Sequence, residues 1–397
     1  MSEEKNVDHK KLGRELGLYS FSRKVPGVAY WWPKGNQLFN TIVGDLKESL
    51  EEMGYQDIKT PMIISVDVLK KSGHYDNYFE KLFFTGNQED LKKEAKWCLK
   101  PMNCPGSIMI YNEDIRSYKD LPIKFSEVGT VYRYEQAGEV NGLLRTRALT
   151  IDDAHIYCTE DQIKNEIVTL IDFIKKTYEK YGFKDLKVEL STRPEKSIGT
   201  DEQWKKAESG LLNALESEKV DFAENKGDGA FYGPKIDFHV KDALLRSWQL
   251  GTIQLDFSMA ERLEAKYIDK DGKEKTPVMI HRAILGSVER FIAILVESSG
   301  GAFPTWLAPV QAKVLPISDK HLEYAKDVVK KLKDDGVRIE IDERTESIGK
   351  KIREAEMQKI PYMLVVGDKE VAANEVAVRK YGEGDMGTKP LSDLKIV

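Results

Sequence analysis

The chain has 397 residues, of which 61 are basic and 66 are acidic, so its formal net charge is −5. This length supports two or three domains with their own cores, and the near-neutral charge neither favours nor excludes a nucleic-acid partner. No apolar run approaches the roughly 18 residues of a membrane span, and residues 1–5 are polar, unlike a signal peptide. Three cysteines are a sparse and odd set, typical of a reducing cytoplasm, so we expect a cytoplasmic protein.

The first three quarters of the chain combine helices with short β-type runs. Regular alternation of strands and helices is absent from this pattern, so we predict a largely antiparallel sheet with flanking helices. The predicted elements are a lead-in over residues 1–20, a helix over 36–53, an extended segment over 57–64 interrupted by Pro61, a helix over 161–181, strands over 237–240 and 249–257, and a helix over 286–299.

Two pairs of charged residues between positions 133 and 147 have the same spacing. Arg133 and Glu135 lie two residues apart, and Arg145 and Arg147 repeat that spacing after a turn. Side chains two apart share one face of a strand, so a hairpin would bring a carboxylate and several guanidiniums together. Because the arginine fork matches phosphate geometry, the pattern favours a polyanion. A solvated strand face with cross-strand ion pairs is the alternative.

The last quarter of the chain has a different pattern, which begins after Pro304 and Pro309. It predicts a small α/β domain of about 90 residues. The predicted elements are a strand over residues 313–317, a helix over 321–335 with Gly336 as its cap, a strand over 337–341, a basic helix over 347–359 and a strand over 362–366. The predicted domains are the lead-in 1–20, a large domain 21–303, a linker 304–311 and the C-terminal domain 312–397.

Six ordered segments resemble the threonyl-tRNA synthetases, a family of class II aminoacyl-tRNA synthetases, and the resemblance extends from Asp8 to the C-terminus. It implies an α+β catalytic domain built on an antiparallel sheet, followed by an anticodon-binding α/β domain with a mixed five-stranded sheet. The segments are residues 100–105 (KPMNCP), the hairpin around Arg133, 152–155 (DDAH), 231–235 (FYGPK), 248–252 (WQLGT) and 281–290 (HRAILGSVER).

The resemblance implies an activity and its partners. The expected reaction joins L-threonine to tRNA(Thr) through a threonyl-adenylate, with ATP and Mg²⁺. A homodimer is also implied, since residues 36–53 and the Pro61 segment match the family motif at the subunit interface. From the residues alone, packing within one chain is the simpler explanation of this amphipathic helix.

Three distant residues, Cys104, His155 and His281, match the family's zinc ligands. They have no local zinc-finger spacing, so without the resemblance they would be interpreted as a packed thiol and two buried histidines. Three protein ligands leave one position for a substrate. The resemblance implies that zinc takes the amino group and hydroxyl of threonine. Valine would then be rejected strongly, whereas serine, which lacks one methyl, would be rejected only about 10–200-fold.

The resemblance also assigns the ATP site, where we expect Arg133, Arg290 and Lys235 to be catalytic. Arg133 would contact the α-phosphate, Glu135 the adenine amino group, and Arg145 and Arg290 the far phosphates with Mg²⁺. From the residues alone, Arg290 could be a solvated helix residue. The remaining expected contacts are Lys235, Gln249 and Gln254 for the adenylate, and Met102, Asp153, Tyr232 and Gln254 for threonine.

Two positions depart from the family pattern at the adenine site. Leu149 lies where an aromatic residue commonly stacks on adenine, and Ile151 where a glutamine is frequent. A leucine can still cover the base, with weaker dispersion. We therefore expect a raised apparent KM for ATP in an enzyme that remains active.

The C-terminal domain resembles the family's anticodon-binding module, and unpaired bases are read by stacking and edge contacts. A solvated face is the alternative for the basic residues, and Thr345 departs from the usual asparagine. The residues expected near the RNA are Glu346, Lys350, Lys351, Arg353, Glu370 and Arg379.

Two other functions stay open. One is a non-catalytic relative that binds RNA, which Leu149 and Ile151 favour, and the other is a synthetase for proline or serine. Family members usually carry N-terminal modules, one of which hydrolyses seryl-tRNA. Because the catalytic core begins close to Met1, either this chain is a shortened form of a longer protein or the natural protein lacks editing. In both cases we expect no editing domain in this chain and uncorrected serine mischarging.

Overall fold

The computed structural model describes residues 8–89, 95–183, 185–242 and 244–396. Residues 1–7 of the predicted lead-in and residue 397 of the predicted C-terminal domain lie outside this description. Within it the chain forms two compact units, one of residues 8–20, 29–44 and 295–396, the other of residues 21–28 and 45–294. The predicted domain boundaries remain a prediction.

The described α-helices differ widely in length. They are α1 His9–Glu15, α2 Pro33–Glu52, α3 Val66–Ser72, α4 His74–Tyr78, α5 Cys104–Tyr111, α6 Ile163–Lys180, α7 Asp201–Ser217, α8 Met259–Arg262, α9 Val288–Ser299, α10 Leu322–Asp334, α11 Ile348–Met357 and α12 Asp368–Ala373. Short 3₁₀ helices span Phe79–Lys81, Glu160–Gln162 and Asp319–His321. No helix in these ranges is long and apolar enough to cross a membrane.

The strands vary from two to eleven residues. They are β1 Tyr19–Ser22, β2 Val25–Trp31, β3 Gln56–Asp57, β4 Ile63–Ser65, β5 Phe83–Thr85, β6 Trp97–Leu99, β7 Arg116–Ser117, β8 Ile123–Tyr132, β9 Ala148–Cys158, β10 Lys187–Ser191, β11 Ala223–Asn225, β12 Lys235–Lys241, β13 Ser247–Asp256, β14 Tyr267–Ile268, β15 Glu274–Lys275, β16 Val278–Ser287, β17 Ala312–Pro316, β18 Ile339–Ile341, β19 Tyr362–Val366, β20 Glu375–Lys380 and β21 Gly384–Pro390.

The larger unit is built on one eight-stranded sheet, in the order β11-β10-β12-β13-β16-β9-β8-β3. All its inner pairs are antiparallel, and only the two outermost pairs, β10 with β11 and β3 with β8, are parallel. The predicted antiparallel sheet is therefore confirmed. Helix α6 packs on strands β13 and β16 and helix α7 on β13, and nearly every residue of β16 is buried.

The structure corrects three predicted boundaries in the first 300 residues. The first long helix begins at Pro33 and not at residue 36, as expected for a proline, which suits the first helical position. The predicted extended segment is two strands, β3 and β4, separated around Pro61, because proline cannot donate to a ladder. The last helix starts at Val288, since Gly286 has a φ of +70° and belongs to β16.

The C-terminal part of the smaller unit carries a five-stranded sheet in the order β18-β17-β19-β20-β21. Strand β17 is parallel to β18 and β19, whereas β20 is antiparallel to β19 and β21. The prediction of a mixed five-stranded sheet is confirmed. Helix α10 buries Ala325, Val328 and Leu332 against this sheet and ends before Gly336, whose φ is +82°. The predicted strand over residues 337–341 is shorter, because it begins at Ile339.

Candidate functional site

One cavity of about 550 Å³ opens on strands β9, β12, β13 and β16 in the larger unit. A second cavity, of about 260 Å³, shares Arg133 and Arg290 with it and adds Glu135 and Arg145. The structure thus brings together most of the predicted catalytic-domain residues. Those lining the larger cavity are Met102, Cys104, Arg133, Asp153, Tyr232, Lys235, Gln249, Gln254, His281 and Arg290.

The predicted metal ligands meet beside the larger cavity, which Cys104 and His281 line. Cys104 is the first residue of α5, while His155 on β9 and His281 on β16 are direct cross-strand partners. All three are buried, and their potential ligand atoms lie within 4.8 Å of one another. The sheet register therefore creates a cluster that the linear spacing does not reveal.

Buried polar atoms test whether this cluster fits a metal. Within the described part of the chain, Nε2 of His155 and Nδ1 of His281 have no hydrogen-bond partner. An unpartnered polar atom in a buried site is unfavourable, so a bound ligand would satisfy both. One thiol and two imidazoles are a typical zinc donor set, and these residues fit zinc.

The protonation states of the cluster agree with that fit. Burial, followed by the charges of His281 and Arg282, lowers the pKa of His155 well below its ordinary range, so the ring is neutral and has a lone pair to offer. Burial, with the carboxylate of Asp153, raises the pKa of the Cys104 thiol. A bound cation would displace the thiol proton to solvent, because cysteine ligates a metal ion as the thiolate.

The predicted phosphate-binding arginines lie beyond the strands and not on them. Strand β8 ends at Tyr132 and β9 begins at Ala148, so the prediction that Arg133, Glu135, Arg145 and Arg147 share a strand face is wrong. The hairpin itself is correct, because β8 and β9 pair along ten residues, and the backbone N–H of Arg133 still donates to the Arg147 carbonyl at 2.8 Å. These four residues lie in the connection between β8 and β9. Their side chains are therefore near the strand ends but do not alternate between two faces of a strand.

Backbone carbonyls hold two of these arginines in place. Arg133 Nε donates to the Pro101 carbonyl at 3.2 Å, and Arg290 donates to the carbonyls of Leu144 at 3.0 Å and Gln249 at 3.1 Å. Arg290 is therefore not the solvated helix residue that the sequence alone allowed.

The charges of the arginines add up in this part of the cavity. Burial, then the charges of Arg145 and Arg133, lowers the pKa of Arg290 to about 10, so it is charged at neutral pH. Two carboxylates lie beside the arginines: Glu135 is paired with Lys81 at 2.8 Å, and Glu139 with Lys81 at 2.9 Å and Arg145 at 3.8 Å. Three guanidiniums and a lysine outnumber these two carboxylates, which suits a polyanion.

Strand β16, which leads to Arg290, has an irregular pairing. The pairing of β16 with β9 shifts register between Ala283 and Ser287. The carboxylate of Asp152 accepts the unpaired backbone N–H groups of Ile284 at 2.8 Å and Leu285 at 3.1 Å. Gly286 follows, and a Cβ there would lie 2.4 Å from the Leu250 carbonyl oxygen.

The predicted threonine-pocket residues are held by hydrogen bonds. Asn103 donates to the carboxylate of Asp153 at 3.0 Å, and the Tyr232 hydroxyl donates to Gln254. Burial raises the pKa of Tyr232, so its hydroxyl keeps its proton. Asp153 and Tyr232 both line the larger cavity, as do the predicted metal ligands Cys104 and His281.

The two departures from the family pattern also line the cavity. Leu149 and Ile151 lie on β9, two residues apart and in line with Asp153. One strand face thus leads from an aliphatic surface near the arginines to the carboxylate near the metal cluster.

Some functional residues were missed in the sequence. His74 is buried, its Nε2 lies 3.1 Å from the Met102 sulfur and 3.7 Å from the Cys104 sulfur, and burial lowers its pKa to about 3. Asp256 and Asp237 are also buried and hold His281 and Lys235. In the sequence, these residues are single polar positions among apolar ones. Such a position indicates burial but does not identify the residue it contacts.

The predicted RNA-binding residues are spread over three elements of the C-terminal sheet domain. Arg353 is exposed on α11, Glu346 pairs with Lys350 at 2.6 Å, and Arg379 lies on β20. The carboxylate of Glu370 accepts the Gly367 N–H at 2.9 Å, at the start of α12.

Lys351 requires a correction. Only 3% of this residue is exposed, and its ammonium donates to the carbonyls of Pro316 at 2.9 Å and Asp342 at 3.1 Å. Because it faces inward from α11, it is part neither of a solvated face nor of an RNA-reading surface.

Comparisons with known proteins agree with this architecture. A family described as "tRNA synthetase class II core domain (G, H, P, S and T)" matches residues 84–299, and "Anticodon binding domain" matches residues 311–395. The chain is 49% identical over 394 residues to a threonine–tRNA ligase of Clostridium tetani (strain Massachusetts / E88) and 50% identical to one of Clostridium botulinum (strain Hall). These alignments cover 99% of the chain and 61% of each relative, so the chain spans about three fifths of their length.

Two solved structures are also similar. One is described as the RNA binding domain of threonyl-tRNA synthetase from Cryptosporidium parvum Iowa II, with a TM-score of 0.92, 41% identity, and coverage of 97% of this chain and 96% of that one. The other, a putative threonyl-tRNA synthetase from Aeropyrum pernix, has a TM-score of 0.82, 28% identity, and coverage of 96% and 90%. With its core and anticodon-binding domains in this order, the chain belongs to the class II tRNA synthetases, in the threonyl-tRNA synthetase family.

Proposed function

We propose that the protein joins L-threonine to tRNA(Thr) in two steps, through a threonyl-adenylate. The observation that carries this proposal is one cavity lined by two chemically different sets of side chains. Cys104 and His281 line it together with Arg133 and Arg290. Such a cavity suits an amino acid beside the predicted metal ligands and a nucleoside triphosphate beside the arginines.

The three predicted metal ligands would select the amino acid. Cys104, His155 and His281 would hold a zinc ion, which when bound offers a Lewis-acidic position to an amino group and a neighbouring hydroxyl. Asp153, oriented by Asn103, is an acceptor for the donors of the same substrate. Valine has no hydroxyl to fill these contacts, so it would be rejected.

The arginines would activate the carboxylate of threonine. A carboxylate oxygen attacks the α-phosphorus of ATP, the bond from phosphorus to the bridging oxygen breaks, and pyrophosphate leaves with Mg²⁺. Arg133 neutralises the α-phosphate, and Arg145 and Arg290 hold the departing phosphates. Positioning and charge neutralisation are sufficient, so no protein nucleophile is needed.

The second step would transfer the threonyl group to tRNA. A terminal ribose hydroxyl attacks the adenylate carbonyl, and AMP leaves with the bonding electrons. The C-terminal domain would bind the anticodon, with Glu346, Arg353, Glu370 and Arg379 as its candidate contacts. In this proposal the reaction takes place in the cytoplasm, where the sparse cysteines stay reduced.

A homodimer is also proposed, and an apolar surface supports it. In the sheet formed by β4, β5 and β6, Ile64 and Cys98 are buried on one face. On the other face Ile63 and Trp97 are 54% and 47% exposed, next to Met62 at 56%. A second copy would cover this surface. Sedimentation should show a dimer that Trp97→Glu dissociates, and a monomer of 45.2 kDa for the unaltered chain would contradict it.

The deciding experiment is amino-acid-dependent exchange of pyrophosphate into ATP. We expect exchange with threonine, weaker exchange with serine and little with valine, together with about one zinc per chain. Cys104→Ala should remove the zinc and the preference for threonine over valine. Cys158→Ala is the matched control, because Cys158 is equally buried and lies outside the cluster.

Other outcomes of this experiment would favour other functions. Absence of exchange with every amino acid, with tRNA binding retained, would favour a non-catalytic RNA-binding relative. Exchange with proline or serine in preference to threonine would identify a different synthetase.

A further inference from the structure

An irregular pairing in the central sheet gathers cavity residues around Asp237. In the ladder of β12 with β13, Asp237 pairs with Thr252 and His239 with Gln249. Two steps on β12 thus correspond to three on β13. Gln249 and Thr252, which a regular strand would direct to opposite faces, therefore both reach the carboxylate of Asp237.

Asp237 is only 1% exposed, and it receives hydrogen bonds from four side chains. Three of the donors, Lys235, Gln249 and Thr252, also line the cavity. A carboxylate in this position accepts only, so it fixes the orientation of every donor. The donors are Lys235 Nζ, Gln249 Nε2 at 2.6 Å, Thr252 Oγ1 at 2.9 Å and Ser191 Oγ at 3.1 Å.

The orientation continues from Asp237 to Tyr232. A hydroxyl has one hydrogen, and that of Thr252 is used on Asp237, so the Thr252 oxygen can only accept, from Gln254 Nε2 at 3.4 Å. The carbonyl oxygen of Gln254 then faces the Tyr232 hydroxyl, which donates to it. Tyr232 has no second hydrogen, so it can offer only oxygen lone pairs to a molecule in the cavity.

We propose that Asp237 is a positioning residue that acts through Thr252 and Gln254 to make the Tyr232 hydroxyl an acceptor for the α-amino group of the amino-acid substrate. The inference rests on the proposed function, because it names the part of that substrate which this wall recognises. Asp237 itself touches none of the reacting atoms. Its effect is on the direction of three hydrogen bonds.

An asparagine at position 237 would reverse this order. Its amide can turn its NH₂ group towards Thr252, which would then donate to Gln254. The Gln254 amide would turn round, and the Tyr232 hydroxyl would point its hydrogen at the N–H groups of the incoming amino group. We expect Asp237→Asn to raise the KM for threonine about tenfold or more in pyrophosphate exchange, with a smaller change in kcat.

A double-mutant cycle separates this role from a structural one. Tyr232→Phe removes the hydroxyl, so the added effect of Asp237→Asn on the KM for threonine should fall to about threefold or less in that background. Asp242→Asn is the matched control, since Asp242 is equally buried, receives four donors after the same strand, and does not line the cavity. It should leave the KM unchanged. Equal effects of Asp237→Asn in both backgrounds would overturn the inference.

A measurement without substrate keeps this test independent of the proposed function. In protein labelled with ¹⁵N-glutamine, the side-chain amide resonance of Gln254 should shift in Asp237→Asn and stay in place in Asp242→Asn. Gln254 does not touch Asp237, so a shift reports the path through Thr252. An unmoved resonance would refute the inference, whereas absent exchange with threonine in the unaltered protein would refute the proposed function alone.

Discussion

Nε2 of His281 lies 3.1 Å from Oδ2 of Asp256, and both side chains are almost fully buried. This contact uses one ring nitrogen and leaves Nδ1 for a metal. Carboxylates behind a ligating histidine orient its ring and strengthen its binding.

Replacing that carboxylate should weaken metal binding without removing a ligand. We expect Asp256→Asn to lower the affinity for zinc about 10–100-fold, as measured by competition with a chelator. Asp242→Asn should retain the affinity of the unaltered protein. An equal affinity in Asp256→Asn would show that the contact has no role in the site.

An aromatic side chain at position 149 should improve ATP binding. Leu149 lines the cavity, and a phenyl ring adds stacking with the adenine base. We expect Leu149→Phe to lower the KM for ATP about threefold or more in pyrophosphate exchange. Leu244→Phe, at a position that is 55% exposed, should have no effect. A raised KM in Leu149→Phe would mean that the base does not contact this strand.

Loss of a phosphate-binding charge should slow activation. Arg290 is fixed by the carbonyls of Leu144 and Gln249 and is charged at neutral pH. We expect Arg290→Gln to reduce kcat/KM for ATP about 100-fold or more. Arg23→Gln, at an exposed position outside the cavity lining, should change it less than threefold. Near-normal exchange in Arg290→Gln would exclude it from the triphosphate site.

The carboxyl of Asp152 should make stability depend on pH. Burial raises its pKa to about 7, against the opposing charge of Arg282 and the N–H groups of Ile284 and Leu285. The folded state therefore holds a proton that the unfolded state releases near pH 4, and this contribution to stability is lost as pH rises to 7.

Comparison with Asp152→Asn should isolate that contribution. The stability of the unaltered protein relative to this variant should fall by roughly 2–3 kcal/mol between pH 5 and pH 7. Thermal unfolding at a series of pH values measures the difference. Asp172→Asn, at an exposed position, should show none. A difference that grows with pH would mean that the pKa is lowered.

Two neighbouring basic residues on α11 should behave in opposite ways. Lys351→Met removes two buried hydrogen bonds and should cost about 2–4 kcal/mol of stability. Arg353→Ala, at an exposed position, should change stability by less than about 0.5 kcal/mol and weaken tRNA binding. Melting curves and filter binding of tRNA(Thr) measure both effects. Unchanged tRNA affinity in Arg353→Ala would exclude it from the interface.

Local patterns were sufficient to predict much of the fold. The strand Tyr362–Val366 was predicted with its exact limits, because five apolar residues are bounded on both sides. The antiparallel sheet followed from the absence of regular alternation, and Gly336 marked the end of a helix. Each of these depends on neighbours in sequence, which determine backbone conformation.

Such local patterns could not predict the contacts between residues on different strands. The partnership of His155 with His281 depends on strand register, and the chain length between them says nothing about it. Lys351 looked like part of a basic surface because neither Pro316 nor Asp342 could be recognised as its acceptor. The role of Asp237 depends on a bulge whose location the residue types do not indicate.

The register shift in β16 also has a consequence for the geometry of the reaction. One continuous stretch of backbone carries His281 and, nine residues later, Arg290, and Asp152 clamps it midway. In the proposed reaction, covalent connectivity would therefore govern the separation between the nucleophilic oxygen and the phosphorus it attacks. Deleting a single amino acid between these two side chains would misalign the reactants even if each half of the pocket stayed intact.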